Sequence, residues 1–423
     1  MFALIVFAAA ALAALAQASD AGDPPPSGGF AVVTEFTMAN YTFEDADATT
    51  SRAQYMDTGA YRNNSITGIK YHAGRTWLTV PRWRPGVPGT LNELVHSGGG
   101  RGGDAAAGVP LLRPWPSWAS QEVGNCSAIQ YVQSMEIDSS GIMWVVDVGR
   151  RNFAFTGMPP DNACPPKLVL LDTATGARVD APYVFPDSVA SYNASFLNDI
   201  VVDQVLGRAF ISDAGTGAVV VYDRKRRASR RYADASTAND PSVDFDINGV
   251  DYGTHTFTTP ADGIALTADR TRLFYCALQG LHLYSVDALK LGDMDTPLSE
   301  VAASQVDHGA KPAQADGMVW SRDGRLFSGG LNTDTLYQWA PRAADGARGN
   351  VSRAFTSLAT DPERLQWIDT FAWDNPRRTL LLTSNRLDRF FEYTMDFSGA
   401  RGPNFRVLAV AVNTTSYLDG GRN

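Results

Sequence analysis

Acidic and amide side chains recur at the start of short apolar runs in this chain, and their chemistry suggests three kinds of site. The candidates are Asn198, Asp199, Asp262, Asp316 and Asp369, with Glu136 and Thr67 as weaker ones. Carboxylates that converge can pair with an ammonium group, exchange protons with a substrate, or bind a hard cation such as calcium. Asp before Gly is also a common turn residue, so each position alone has a purely structural explanation.

The first functional interpretation is recognition of a small aromatic amine. A carboxylate would pair with the ammonium group, and aromatic or apolar walls would hold the ring without any cofactor. The same site would serve tautomerisation of an aminochrome, which needs an acid and a base, although no single residue stands out as that base. The net charge of −9 suits a cationic ligand and disfavours a nucleic-acid partner.

The second interpretation is a calcium-dependent lactonase or esterase. Its oxygen ligands would be Glu136, Asn198, Asp262 and Asp316. The repeat unit near residue 67 has no acidic residue at the corresponding position, which weighs against this interpretation. A third alternative is a non-catalytic extracellular structural protein.

Other chemistries lack their motifs. The five histidines form neither an HxH nor an HExxH pattern, which disfavours a zinc hydrolase. No serine lies in a G-x-S-x-G elbow, and no phosphate-binding glycine loop is found. The basic run 224–231 follows a predicted strand and is interpreted as a solvated hairpin loop, with a polyanion contact or a processing site as the alternative.

A repeated unit must position the candidate residues. It has a polar start, an apolar strand, a turn with Asp or Gly, and a second apolar strand, and it begins near residues 67, 134, 198, 261, 315 and 368. The corresponding apolar positions, 53 to 66 residues apart, are Ile69, Met135, Ile200, Ile264, Met318 and Phe371. Each interval fits one four-stranded blade, so residues 19–423 are predicted to form a single all-β, six-bladed β-propeller.

Further strands fill the intervals between these units. Third strands are predicted at 167–172, 217–223, 280–286, 335–339 and 389–394, where apolar alternation returns after a short turn. The innermost strand of each blade begins near the axis of a propeller. The polar residues at these starts are therefore expected to converge on one central site.

The first 18 residues are apolar and Ala-rich, end in Ala16-Gln17-Ala18, and are predicted to be a signal peptide. No later stretch is long and apolar enough to suggest a membrane span. Export would make six Asn-X-Ser/Thr sequons candidates for glycosylation: Asn40, Asn63, Asn125, Asn193, Asn350 and Asn413. We therefore expect a secreted, extracellular glycoprotein.

Three cysteines in an oxidising compartment favour one disulfide and one remaining thiol. Cys126 and Cys164 are closest in sequence, and each precedes a predicted strand. Closing that loop would stabilise the fold by about 4 kcal/mol in the chain-entropy model. Cys276 lies in a strongly apolar strand and is interpreted as a buried small hydrophobe.

Several segments, found in order along the chain, resemble the yellow/major royal jelly protein family. They are 114–118, 125–147, 164–168, 197–203, 210–213, 384–386 and 404–407. The resemblance implies a six-bladed propeller with a central channel and a disulfide between Cys126 and Cys164. The glycine-rich stretch 97–104 departs from the family pattern and is interpreted as a mobile loop.

The same resemblance implies several functions. Some members of the family bind biogenic amines, others are linked to dopachrome conversion, and nutritional and structural roles also occur. The family's amine-contacting region carries over to Asp316 with Leu331, Asn332 and Thr333. The resemblance therefore implies the fold more firmly than the activity.

Overall fold

A computed structural model describes residues 29–43, 50–97, 108–153, 159–253, 258–341 and 351–420. The predicted signal peptide, residues 98–104 of the glycine-rich stretch and the sequon at Asn350 lie outside these ranges. The described residues form six four-stranded antiparallel sheets and one two-stranded hairpin. The predicted six-bladed β-propeller is confirmed.

The first three blades run outward from the axis in chain order. Blade 1 contains β2 (Ile69–His72), β3 (Arg75–Thr79), β4 (Leu91–His96) and β5 (Pro110–Pro114). Blade 2 contains β6 (Val132–Ile137), β7 (Ile142–Asp147), β8 (Lys167–Asp172) and β9 (Tyr183–Val184). Blade 3 contains β10 (Leu197–Asp203), β11 (Arg208–Asp213), β12 (Ala218–Asp223) and β13 (Ala228–Tyr232).

The other three blades follow a short hairpin formed by β14 (Asp246–Ile247) and β15 (Val250–Asp251). Blade 4 contains β16 (Ala261–Leu266), β17 (Arg272–Ala277), β18 (His282–Asp287) and β19 (Val306–Ala310). Blade 5 contains β20 (Met318–Trp320), β21 (Leu326–Gly330), β22 (Thr335–Trp339) and β23 (Phe355–Thr360). Blade 6 contains β24 (Ile368–Asp374), β25 (Thr379–Ser384), β26 (Phe405–Ala411) and β1 (Phe30–Phe36).

The ring closes through blade 6. Its outermost strand is β1, which pairs antiparallel with β26 from the other end of the described chain. The innermost strands β2, β6, β10, β16, β20 and β24 contact one another in cyclic order. Joining the first and last strands in one sheet removes the open edge that a linear array of sheets would leave.

Helices in the described ranges are short. They are α1 (Arg52–Asp57), α2 (Ala288–Gly292), α3 (Leu298–Ala303) and α4 (Leu387–Phe391). None of the helices described is long and apolar enough to cross a membrane.

The strand predicted at 389–394 is wrong, because α4 and a turn occupy this segment. Leu387, Phe390 and Phe391 are buried at helical spacing, and the third strand of blade 6 is β26 instead. The apolar residues of this segment therefore cover the end of the propeller and do not add a strand to the blade.

Apolar side chains pack between neighbouring blades. Strand β12 is buried along its whole length, because blades 2 and 4 cover both of its faces. Between blades 1 and 2, Trp77, Met135 and Val145 belong to one buried cluster. Each fully buried side chain of this size contributes roughly 1.5–3 kcal/mol, so the packing between blades holds the inner strands in register with one another.

The disulfide between Cys126 and Cys164 is confirmed, with Cα atoms 5.1 Å apart. It joins the segment before β6 to the segment before β8. Cys276 is a free, buried thiol in β17, and burial raises its pKa. That environment agrees with its interpretation as a small hydrophobe.

The basic run 224–231 forms the turn and outer strand of the β12–β13 hairpin. Arg226 pairs with Asp295 at 2.6 Å, and Arg224 pairs with Asp180 at 2.7 Å. Arg230 donates to three backbone carbonyls near α2. The run therefore forms the predicted hairpin, and three of its arginines contact neighbouring segments of this chain.

Candidate functional site

Four of the inner strands begin with an irregular pairing to the second strand of the blade. In blade 3, Leu197 pairs with Asp213 and Ile200 pairs with Ile211, so the inner strand has one residue more than its partner. The same extra residue occurs in blades 2, 4 and 6. Such β-bulges re-aim the side chains next to them, and here they lie at the polar starts of the inner strands.

The position two residues before the first regularly paired apolar residue is equivalent in every blade. In blades 2 to 6 it is occupied by Gln133, Asn198, Asp262, Asp316 and Asp369. All five line one cavity of about 290 Å³. This volume lies at the lower end of the roughly 300–1,000 Å³ of small-molecule sites, so it suits one compact molecule.

Two glycines allow the inner strands to approach closely beneath this cavity. A Cβ atom at Gly263 would lie 2.2 Å from the backbone oxygen of Asp316. At Gly317 it would lie 2.1 Å from the backbone oxygen of Asp369. Glycine follows Asp262 and Asp316 because any side chain there would push the neighbouring blade away.

The walls of the cavity come from loops at the same end of the propeller. Strand direction alternates within a blade, so the loop entering the inner strand and the loop between the second and third strands share one end. Phe196 and Trp367 directly precede inner strands. Trp83, Phe153 and Phe391 lie in the connections between the second and third strands of their blades.

These five aromatic residues form two groups. Phe391 contacts Trp83 and Trp367, with ring centroids 5.4 and 6.2 Å apart respectively. Phe153 contacts Phe196 with centroids 5.3 Å apart. The cavity therefore has aromatic rings in its walls and carboxyl groups at its floor.

Four aspartates form the acidic part of the site; Asp199, Asp262 and Asp369 are buried, and Asp316 is half-buried. Burial is the largest cause that raises the pKa of Asp199 to about 7 and that of Asp369 to about 6. The pKa values of Asp262 and Asp316 are raised well above the usual range by burial and then by the other aspartates. At neutral pH the cluster therefore holds protonated and ionised carboxyl groups together.

The three aspartates that line the cavity differ in how many hydrogen bonds their carboxyl groups accept. Asp369 accepts from Asn385 Nδ2 at 2.9 Å and from Thr370 Oγ1 at 3.0 Å. Asp316 accepts from Trp367 Nε1 at 2.8 Å. Asp262 Oδ1 is buried and has no partner among the described residues. Because donors stabilise the ionised form, Asp369 ionises most readily and Asp262 least.

A cation also lines the cavity. Arg150 follows β7, and its guanidinium lies over the Phe153 ring at 4.2 Å from the centroid. One of its nitrogens donates to the backbone oxygen of Asn193. Burial lowers the pKa of Arg150, and electrostatic interactions with Tyr131 and Asp213 oppose that shift. The cavity therefore presents positive and negative groups from different blades.

The residues predicted for ligand binding separate into three groups. Asn198, Asp262, Asp316 and Asp369 line the cavity. Asp199 is buried beside the cluster and belongs to it electrostatically. Leu331, Asn332 and Thr333 form a turn at the same end but do not line the cavity, because Leu331 packs into the apolar core and Asn332 faces solvent.

Of the predicted calcium ligands, Asn198, Asp262 and Asp316 line the cavity but Glu136 does not. Its carboxylate lies 3.4 Å from Lys70 Nζ and accepts from the Tyr417 hydroxyl at 3.3 Å. Across the described ranges, no group of three or more His, Cys, Asp and Glu side chains is arranged to hold a metal ion. The side chains present therefore do not fit the predicted four-ligand calcium set.

Sequence reasoning missed Gln133, the aromatic walls and Arg150. Counting two residues back from Met135, as in the other units, would have selected Gln133 in place of Glu136. The same count selects Thr67 in blade 1, whose hydroxyl lies 3.0 Å from that of Thr79 and outside the cavity lining. The aromatic residues and Arg150 lie in loops without a shared pattern, so no comparable signal marks them.

Known proteins show a consistent similarity. The sequence model of a family described as major royal jelly protein matches residues 130–416. The chain is 25% identical over 405 residues to major royal jelly protein 8 of Apis mellifera, covering 90% of each chain. It is 27% identical over 200 residues to dopaminechrome tautomerase of Drosophila melanogaster, covering 45% of this chain and 40% of that protein.

Two further comparisons give a sequence match over part of the chain and a structural similarity at low sequence identity. The chain is 28% identical over 212 residues to protein yellow of Drosophila erecta, covering 48% of this chain and 37% of that protein. Among solved structures it is similar to a luciferin-regenerating enzyme, with a TM-score of 0.49 and 11% identity over 92% of this chain and 97% of the other.

Proposed function

The chain belongs to the major royal jelly protein family, and from this membership and the cavity we propose that it binds a small aromatic amine-type molecule and tautomerises an aminochrome. The observation that carries the proposal is the set of cavity aspartates that accept different numbers of hydrogen bonds beside aromatic rings, which separates their pKa values. Groups whose environments separate their pKa values are suited to act as acid and base in one site. One relative over part of the chain is a dopaminechrome tautomerase.

Tautomerisation of an aminochrome moves protons without an external reagent. A base removes a proton from a carbon of the five-membered ring, and the electron pair flows into the quinone. An acid then protonates a quinone oxygen, so the product has the same atoms and electrons as the substrate. The site must therefore hold one ionised and one protonated group near the bound ring.

Asp369 is assigned the role of base. Its pKa of about 6 leaves it ionised at neutral pH, and Asn385 and Thr370 hold its carboxylate oxygens. Asp262 is assigned the role of acid, because burial and neighbouring charges raise its pKa well above the usual range. Asp316 accepts one hydrogen bond, from Trp367, and is therefore intermediate between Asp369 and Asp262 in how readily it ionises.

The aromatic residues support binding of a flat ring. Trp83, Trp367 and Phe391 provide apolar faces, and a cationic nitrogen on the ligand would favour ionisation of the nearby carboxyl groups. Asn198 and Gln133 add neutral hydrogen-bonding groups to the same cavity. A flat ring with a cationic nitrogen would pack against the apolar walls and hydrogen-bond to the polar floor of the cavity.

The test follows aminochrome loss spectrophotometrically against the spontaneous rate in buffer. We expect the wild-type protein to accelerate conversion of dopachrome or dopaminechrome, and Asp369→Asn and Asp262→Asn each to reduce kcat at least about 100-fold. Asp307→Asn, which changes an exposed carboxylate of β19, is the matched control and should retain wild-type activity.

Calorimetry with dopamine and serotonin separates binding from conversion. Binding without acceleration would retain the ligand site and remove the catalytic part of the proposal. Neither binding nor acceleration by a folded wild-type protein would refute the proposed function.

We also propose secretion and glycosylation. The disulfide of Cys126 and Cys164 is typical of an oxidising compartment. Asn125, Asn193 and Asn413 are exposed, whereas the Asn63 amide donates to the Pro85 carbonyl. Expression in a secreting eukaryotic cell, followed by glycosidase treatment and peptide mass mapping, should show glycans at the exposed sequons. An unmodified protein retained inside the cell would contradict this expectation.

A further inference from the structure

Arg150 is a half-buried cation of the cavity wall whose partners differ from those of several buried cations of the described chain. Lys167 pairs with Asp147 at 2.8 Å, and the side chain of Arg406 pairs with Glu35 at 2.9 Å. Arg82 donates to four backbone carbonyls. Arg150 makes no ion pair with any described residue and has one hydrogen bond, to Asn193, while its Nε is buried without an acceptor.

The cavity aspartates do not neutralise Arg150. The groups that raise its pKa against burial are Tyr131 and Asp213. Asp213 already accepts from the Ser195 hydroxyl at 2.7 Å and lies 3.3 Å from Arg231. The guanidinium therefore lines the cavity with N–H donors that no described residue accepts from.

We infer that Arg150 anchors a carboxylate of the ligand, so that the site prefers carboxylate-bearing aminochromes and aromatic amino acids over their decarboxylated counterparts. A guanidinium presents a planar pair of donors that matches the two oxygens of a carboxylate. The Phe153 ring beneath the guanidinium holds it in place. This inference rests on the proposed function, because it concerns the same cavity.

The cavity has an acidic part and a basic part, so a matching ligand would carry both a nitrogen and a carboxylate. The aspartates lie at the starts of inner strands, whereas Arg150 lies in the loop after β7. A molecule with a cationic or hydrogen-donating nitrogen and a carboxylate would satisfy both parts. A decarboxylated amine would satisfy the aspartates and leave the half-buried Arg150 guanidinium without an anion, so it would lose the charged hydrogen bonds that a carboxylate gains.

The experiment compares dopachrome, which carries a carboxylate, with dopaminechrome, which does not. We expect wild-type kcat/KM to favour dopachrome by about 10- to 100-fold, the range of a hydrogen bond to a charged group. Arg150→Met should reduce that ratio to near one, mainly by raising KM for dopachrome. Arg150→Lys should restore part of the preference. Arg322→Met, which removes an exposed cation from a turn at the other end of the propeller, is the matched control.

A ratio that Arg150→Met leaves unchanged would overturn the inference while the proposed conversion stands. Conversion or binding of neither compound by the wild-type protein would instead refute the proposed function. Because Arg150→Met could impair folding, calorimetry on the wild-type protein provides a second test. 5-Hydroxytryptophan should bind about tenfold more tightly than serotonin, and equal affinities would overturn the inference.

Discussion

Replacing Asp199 with Asn is expected to change how stability depends on pH. Asp199 is 9% exposed, and burial is the largest cause that raises its pKa from 3.8 to about 7. Lys70 opposes this shift, whereas Asp369 and Glu136 add to it. Asn has nearly the same shape and cannot ionise, so the substitution removes the titration with little change in packing.

The sign follows from proton binding in the two states. Between about pH 4 and pH 7 the folded protein keeps the Asp199 proton and the unfolded chain releases it, so this group's contribution to stability falls as pH rises. A shift of about 3 pKa units at 1.36 kcal/mol each corresponds to about 4 kcal/mol over that window. Asp199→Asn should therefore gain about 4 kcal/mol relative to wild type between pH 4 and pH 8.

Thermal unfolding at constant ionic strength provides the assay. For a chain of 423 residues, 1 kcal/mol corresponds to about 1 °C in Tm, so the difference between variant and wild type should grow by about 4 °C. Asp57→Asn, an exposed position at the end of α1, is the control and should show a constant difference. A constant difference for Asp199→Asn across pH 4 to 8 would refute the electrostatic reasoning about the cluster.

Three other predictions concern separate parts of the molecule. Replacing Cys126 and Cys164 with Ser should lower the free energy of unfolding by about 4 kcal/mol in urea titrations, because it opens the 38-residue separation that the disulfide closes. Trp367→Phe removes the donor to Asp316 and should raise the pKa of that carboxyl further, which would move the pH profile of conversion upward; an unmoved profile would exclude Asp316 from the titrating set. Asn413→Gln should remove the mass of one glycan from the secreted protein, whereas an unchanged mass would mean that this sequon is unused.

The inner part of each blade was predictable because it repeats. The six units predict the inner and second strands in every sheet, since a polar start followed by two apolar strands recurs at blade-sized intervals. The disulfide was also predictable, from cysteine spacing and from family resemblance. The outer strand of blade 6 was not, because β1 reaches its sheet only when the ring closes.

The segment 389–394 shows the limit of local pattern. Phe390 and Phe391 are aromatic neighbours that suit a strand, but both are buried against Trp83 in a helical turn. Leu387, Phe390 and Phe391 are also spaced as i, i+3 and i+4, which fits one face of a helix equally well. Contacts with a loop of blade 1 decide between the two, and those contacts are distant in sequence.

The sequence by itself determined the blades and the polar residues at their inner ends, because both depend on periodic patterns that are visible along the chain. The spacing from Met135 already marks Gln133 in the sequence. The tertiary structure supplies the reason that Gln133, and not Glu136, faces the cavity, because bulge position and strand register set the direction of each side chain. It also brought Arg150 and the aromatic walls to the aspartates from unrelated loops. The raised pKa values follow from that assembly, because burial and the proximity of like charges exist only when six blades meet around one axis.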